Sequence, residues 1–195
     1  MKKNYSMALA AGLLMVACTG SGQAAQNEKD STSCEQTVEE QEVKEFILAD
    51  GKLGPISKGA TASTFPKKVE GLYDKFEFES YENDMDDYVE EYYTFTQAGK
   101  PMFRANINEG KVFSITLLEG SSSIIKTSDG IYVGYSAREL FKKKKLEWEF
   151  YFDTGLTGSD GKYTYAIDPD GYEPESTPEK ATDLKANAKV CAITH

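Results

Sequence analysis

The chain has 195 residues, 28% of them charged, and its 32 acids against 22 lysines and arginines give a formal charge of −10. That carboxylate excess argues against nucleic acid and against adsorption on anionic lipid, since both need a basic patch that displaces counterions. The length suits one compact domain, and no apolar run is long enough to cross a bilayer.

In chain order, the first feature is Lys2 and Lys3 ahead of an apolar run from Met7 to Ala17 that stops at Cys18. Positive start, short apolar core and small Ala17 predict a secretory signal peptide over residues 1–17. Leu14-Met15-Val16-Ala17-Cys18 resembles the bacterial lipoprotein signal, in which the chain is cleaved before the cysteine and the thiol is acylated with palmitate-type chains. Each buried methylene of such a chain contributes about 0.8 kcal/mol to anchoring. Thr19 at the next position, instead of Asp, implies by the same resemblance the outer membrane of the cell envelope, with the domain facing the periplasm or the surface. The alternative is an ordinary signal peptide cleaved after Ala24 or Ala25. Removing residues 1–17 takes away two lysines and no acid, so the mature charge falls to −12.

Residues 18–45 are Gly, Ser, Gln, Asn, Asp and Glu with almost no large apolar side chain, a composition that predicts a flexible tether. With Cys18 lipidated, Cys34 and Cys191 remain as an even pair in an oxidising compartment. A disulfide between them would tie the start of the domain to its last strand; the alternative is two unrelated thiols.

After the tether the chain holds a weak tandem repeat. Ile56-x-x-Gly59-x-Thr61-Ala62-x-x-Phe65-x-Lys67 recurs 75 residues later as Ile131-x-x-Gly134-x-Ser136-Ala137-x-x-Leu140-x-Lys142. Ala105-Asn106 leading to Lys111-Val112-x-x-Ile115 likewise parallels Ala186-Asn187 leading to Lys189-Val190-x-x-Ile193. These matches divide the domain into repeats over 46–120 and 121–195, each read as a short strand, a glycine turn, a helix and a β-meander. Gly130–Val133 is expected to be extended. Ser136-Ala137-Arg138-Glu139 has capping-box spacing, while Thr61 takes the cap position in the first copy and Pro66 limits that helix to little more than a turn.

Period-two alternation marks the meanders. It is clearest from Leu146 to Asp153, where Leu146, Trp148, Phe150 and Phe152 are expected to face the core. Phe76–Glu79, Tyr92–Thr96, Met102–Ala105 and Val112–Leu117 extend the pattern, with turns at Ala98-Gly99, Glu109-Gly110 and Asp160-Gly161. The expected fold is therefore α+β: two tandem helix-plus-antiparallel-meander repeats forming one sheet-dominated domain. That unit of glycine turn, Thr/Ser-Ala-x-x-Phe/Leu helix and aromatic meander resembles those of BamE/SmpA-type lipoproteins and of the tandem β-lactamase-inhibitor-protein fold. The resemblance implies binding or assembly instead of catalysis.

Catalytic equipment is sparse. The single histidine is His195, where a general base would be hard to hold, and Ser121, Ser122 and Ser123 have no plausible histidine partner. No phosphate-cradling glycine loop or Cys-x-x-Cys occurs, so no cofactor is expected. Two acidic segments carry hard oxygen ligands that suit calcium, through Asp84 and Asp86 in the first and Asp168 and Asp170 in the second. The plainer readings are a solvated hairpin tip and an Asp-Gly turn. Lys142 to Lys145 complement the carbonyl end of the second helix or offer a membrane or partner contact. Tyr132, Tyr135, Tyr151, Tyr163 and Tyr165 are either strand packing or a recognition surface.

The expectation is a lipid-anchored, non-catalytic envelope protein that binds or assembles with an unknown envelope protein. The alternatives are a calcium- or carbohydrate-binding surface module and a carboxylate-based hydrolase.

Overall fold

The computed structural model describes residues 45–83, 88–122 and 124–195. The tether, Cys18, Cys34, Asp84 and Asp86 lie outside or at the edge of them. Three short strands open the chain, β1 (Phe46–Ala49), β2 (Lys52–Leu53) and β3 (Ile56–Ser57), and β8 (Ile125–Thr127) joins them in a four-stranded sheet of order β3-β2-β1-β8. β8 runs parallel to β1, with Phe46 opposite Ile125.

The long strands follow: β4 (Lys75–Asn83), β5 (Tyr88–Gln97), β6 (Lys100–Asn108) and β7 (Lys111–Leu117), then β9 (Glu147–Tyr151), β10 (Gly155–Ser159), β11 (Thr164–Ile167) and β12 (Val190–Thr194). They make one antiparallel eight-stranded sheet of order β4-β5-β6-β7-β12-β11-β10-β9. The hairpin turns are legible. Asp50-Gly51, Ala98-Gly99 and Glu109-Gly110 hold φ of 50° and 68°, 49° and 77°, and 51° and 73°. Positive φ at both central positions matches the right-handed twist of the paired strands, and glycine at the second position tolerates it without steric cost.

Strand alternation sorts the sheet into two faces. Read across the strands by register, Phe76, Phe95, Phe103 and Leu117 continue into Ile193, Tyr165, Gly158 and Trp148. This row points into the core: Phe95, Phe103, Leu117, Ile193 and Tyr165 are fully buried, and the Phe95 and Phe103 rings stack at 4.3 Å. Leu48, Leu53, Ile56 and Ile125 of the small sheet belong to the same core. Each such side chain contributes roughly 1.5–3 kcal/mol on burial. The Tyr163 hydroxyl donates to the Leu48 carbonyl at 2.8 Å, which satisfies a polar tip inside this apolar layer.

The one α-helix among the described residues is α1 (Ala137–Lys143). Ser136 caps it by accepting from the Glu139 amide at 3.4 Å. Glu139 turns outward to Lys142 Nζ at 2.7 Å, so only the serine half of the capping box forms. Ala137 and Leu140 are buried, and Phe141 stacks on Trp148.

The architecture corrects the expected two-repeat helix-plus-meander arrangement. The first copy has no α-helix: Ala62–Thr64 is a single 3-10 turn, and the Thr61 hydroxyl meets Ser63 Oγ instead of capping it. The meander strands are not two units; they merge into one sheet through β7 and β12, and a second sheet, unforeseen, forms from β1, β2, β3 and β8. Gly130–Val133 lies outside any strand, although Ile131 and Val133 are buried. Phe152, expected in the core, is 89% exposed because β9 ends at Tyr151 and the chain turns there. What the matched segments share is local. Gly59 donates to Val112 O at 2.8 Å and Val112 returns a bond to Ala60 O at 2.9 Å; Gly134 donates to Val190 O at 2.7 Å and Val190 to Tyr135 O at 2.9 Å.

Candidate functional site: the open face of the large sheet

The small sheet, α1 and the core lie against one face of the eight-stranded sheet; the opposite face carries the alternate residues. One register further along each strand, Glu77, Thr94, Arg104 and Thr116 continue into Thr194, Thr164, Ser159 and Glu147. Hydroxyls therefore run across the middle of this face, with a glutamate on each edge strand. Glu79 and Glu149 sit two residues along from the edge glutamates, on the same face.

Part of the row is internally bonded. Asn106 Nδ2 donates to Ser114 Oγ at 2.7 Å and to Thr116 Oγ1 at 3.0 Å, and Thr116 and Thr194 share a bond of 3.0 Å across the seam of the sheet. The other part is not. Thr94 Oγ1, Thr96 Oγ1 and Arg104 Nε are screened from solvent and meet no hydrogen-bond partner among the described residues. The Arg104 guanidinium lies 4.2 Å from the centre of the Tyr92 ring, whose hydroxyl reaches Glu79 Oε2 at 3.5 Å. A guanidinium on an aromatic face keeps its edge nitrogens free for a planar acceptor.

Two of the hollows on this face lie along the row. One, of about 890 Å³, is lined by Glu79, Thr94, Lys100, Arg104, Glu119 and Cys191 among others. A second, of about 510 Å³, is lined by Glu147, Glu149, Thr157, Thr164 and Thr194 among others. Cys191 and Phe113 occupy equivalent irregularities: β12 has one extra residue against Ala166-Ile167, and β7 has one extra against Asn106-Ile107. Phe113 is 65% exposed there, beside Asn106 and Ser114.

The residues singled out in the sequence fall elsewhere or outside the described part. Cys191 is exposed on β12 and burial raises its thiol pKa; its proposed partner Cys34, like the lipidation site Cys18, is outside the described residues. Asp84 and Asp86 are also outside them. Asp168 caps the 3-10 turn Pro169–Gly171, its Oδ1 accepting from the Asp170 amide at 3.1 Å, so this carboxylate is engaged by its own loop. No group of three metal-ligating side chains occurs among the described residues.

His195 is held firmly. Its backbone pairs with Ile115, its Nε2 accepts from the Gly51 amide at 3.0 Å, and its ring meets Tyr163 edge-on. Burial lowers its pKa, which keeps the ring neutral and able to accept. It is an acceptor for a turn, and no serine, threonine or cysteine side chain among the described residues is hydrogen-bonded to it. Ser121 is buried and donates to Leu118 O at 2.6 Å.

Three lysines of the run bond within the molecule, two at its surface and Lys144 mostly buried. Lys142 pairs with Glu139, and Lys143 donates to Asp129 O at 2.7 Å. Lys144, with its side chain 14% exposed, bridges the carboxylates of Asp129 and Asp160 and lies 5.3 Å from the Tyr165 ring centre. Burial pulls the Lys144 pKa down, but the bonds to both carboxylates and to Tyr165 outweigh it and hold the amine above its usual range. Asp129 and Asp160 are lowered in turn: burial opposes the shift and the Lys144 bonds overcome it.

Sequence reasoning missed Arg104 and the threonine row. Thr94-x-Thr96 alternates visibly, but which face stays open is set by the other layer. No family model matches this chain, and no curated protein matches it. Among solved structures it resembles the crystal structure of the uncharacterized protein yfeY from Escherichia coli, with a TM-score of 0.55 and 15% identity, over 75% of this chain and 97% of that one. At that identity the likeness is one of fold.

Proposed function

We propose that this chain is a lipid-anchored, non-catalytic envelope protein that works by binding another macromolecule through the open face of its eight-stranded sheet. One observation carries the reading: a polar face spanning all eight strands, with Thr94, Thr96 and Arg104 lacking hydrogen-bond partners. A buried polar group without a partner costs about 1–3 kcal/mol, which favours turning these side chains towards a bound surface that supplies one. The anchor rests on Leu14 to Cys18, with the apolar run and lysines before them.

Affinity capture from detergent-solubilised envelopes, with the chain from Cys18 onward as bait, tests the face. The expected result is one reproducible partner with the wild type and none with Thr157→Arg, a substitution that fills the hollow beside Glu149 on the open face. Equal recovery by both baits would remove the open face from the reading. Cys18→Ala tests the anchor separately and should move the protein from membrane to soluble fractions.

A further inference from the structure

The charges on the open face are ordered. Edge strand β4 contributes Glu79 and Glu77, the latter paired with Lys75 at 3.2 Å, edge strand β9 contributes Glu147 and Glu149, and the rows between them are mostly threonine, serine, alanine and asparagine. Into this floor projects Arg104. Only two arginines occur in the chain, and the other, Arg138, is spent on the Leu184 carbonyl at 2.8 Å. Arg104 forms no ion pair among the described residues, although Glu79 and Glu119 line the same hollow; its Nε is buried without an acceptor, and it stacks on Tyr92.

We infer that the partner of this face is a protein that presents a carboxylate to Arg104, flanked on two sides by basic side chains that meet Glu77 and Glu79 on one edge and Glu147 and Glu149 on the other. This rests on the binding role proposed above and specifies its chemistry. A carboxylate fits because its two oxygens match the fork of the guanidinium, and a turn of the side chain towards the partner brings the buried, unpartnered Nε–H to one of them. Thr94 is directly opposite Arg104 in the register, so its free hydroxyl can donate to the same group. The flanking glutamates exclude a uniformly acidic surface and steer a mixed one, which fixes orientation as well as affinity.

Photo-crosslinking in cells that make the full chain tests this. A photoreactive residue replaces Thr164 on the open face or, as a control, Lys142 on α1, each in wild-type, Arg104→Gln and Arg104→Lys backgrounds matched for melting temperature. The expected result is a protein adduct from position 164 and none from 142. Its yield should fall about tenfold or more with Arg104→Gln, as when one member of a buried charge pair is removed, and less with Arg104→Lys. The adduct's mapped segment should contain Asp or Glu together with Lys or Arg. An adduct at 164 that is indifferent to Arg104→Gln, or one mapped to a segment without a carboxylate, overturns this inference and leaves the binding role standing. Absence of any adduct at 164 overturns both.

Discussion

Thr116 and Thr194 share a hydrogen bond of 3.0 Å where β7 meets β12, the seam along which the two runs of four strands become one sheet. Register there is carried by Ile193 with Leu117 and Thr194 with Thr116, and His195 adds a reciprocal backbone pair with Ile115 just beyond β12. Thr194→Val leaves the Thr116 hydroxyl with Asn106 alone, whereas Thr116→Val strips Thr194 of its partner and Asn106 of one acceptor; each should cost about 1 kcal/mol by urea unfolding, the second more than the first. The double valine variant should cost less than the sum of the two. If the two single costs simply add, the bond contributes nothing to the seam.

The Lys144 cluster joins three segments: the end of α1, the turn at Asp129 and the β10 to β11 hairpin at Asp160. Asp160→Asn leaves a mostly buried amine with one carboxylate instead of two. It also weakens acceptance from the Lys162 and Tyr163 amides, at 2.9 and 2.7 Å. The expected loss is about 2 kcal/mol, below the range for fully buried pairs because the site is not closed to water. Thermal unfolding measures it, and an unchanged melting temperature would mean that the cluster is ornamental.

Acid lability should follow from the same carboxylates. Both are lowered in the folded protein, so the unfolded chain binds more protons as the pH falls below about 4, the ordinary carboxylate range. Their stabilisation is complete above that range and is lost as pH drops through the folded values. Lys144→Met should flatten the stability curve in this window. An equally steep curve would assign the acid transition to other groups.

His195 titrates in a separate window with the same sign. Its folded pKa lies below the ordinary 6.5 because burial disfavours the charged ring, with Lys58 and Lys162 opposing the charge and Asp50 favouring it. The unfolded state therefore takes up the proton first, and stability should decline as pH falls below about 6.5. Protonation also removes the acceptor that Nε2 offers Gly51. His195→Gln keeps a side-chain acceptor without titration and should abolish the slope between about pH 5 and 7, while proton NMR of the wild-type ring should give a midpoint below 6.5.

Gly158 carries the ring of the single tryptophan. A Cβ built at Gly158 would stand 2.9 Å from the Trp148 ring, on the buried side of the sheet. Gly158→Val should displace the indole, cost about 1–3 kcal/mol and shift its fluorescence to the red. Unchanged emission would show that the ring has room to move.

Much of the local structure was legible in the chain. Paired turn residues ahead of alternating segments located the β5, β6 and β7 hairpins, and Ser136 located the start of α1. What failed had tertiary causes. Thr61 and Ser136 occupy matching places in similar segments, yet Pro66 follows closely behind the first and only the second starts a helix. β1 and β8 are too short to announce themselves, and β8 exists as a strand because it pairs with β1. Arg104 reads in sequence as one charge in a strand; only the register, with Thr94 opposite it and Tyr92 beneath it, makes it the centre of a face.

The seam at β7 and β12 also bears on how the chain reaches this state. β1 gains its second neighbour only when residues near 125 have been made, and β7 gains its second only from β12, near residue 194. Pairings so distant in sequence delay closure, because the loop entropy must be overcome before any contact rewards it. A nascent chain that has emerged as far as residue 120 therefore exposes both an unpaired β7 edge and the apolar side of β5 and β6. A truncation that removes β12 leaves that edge open for pairing with another chain and should aggregate.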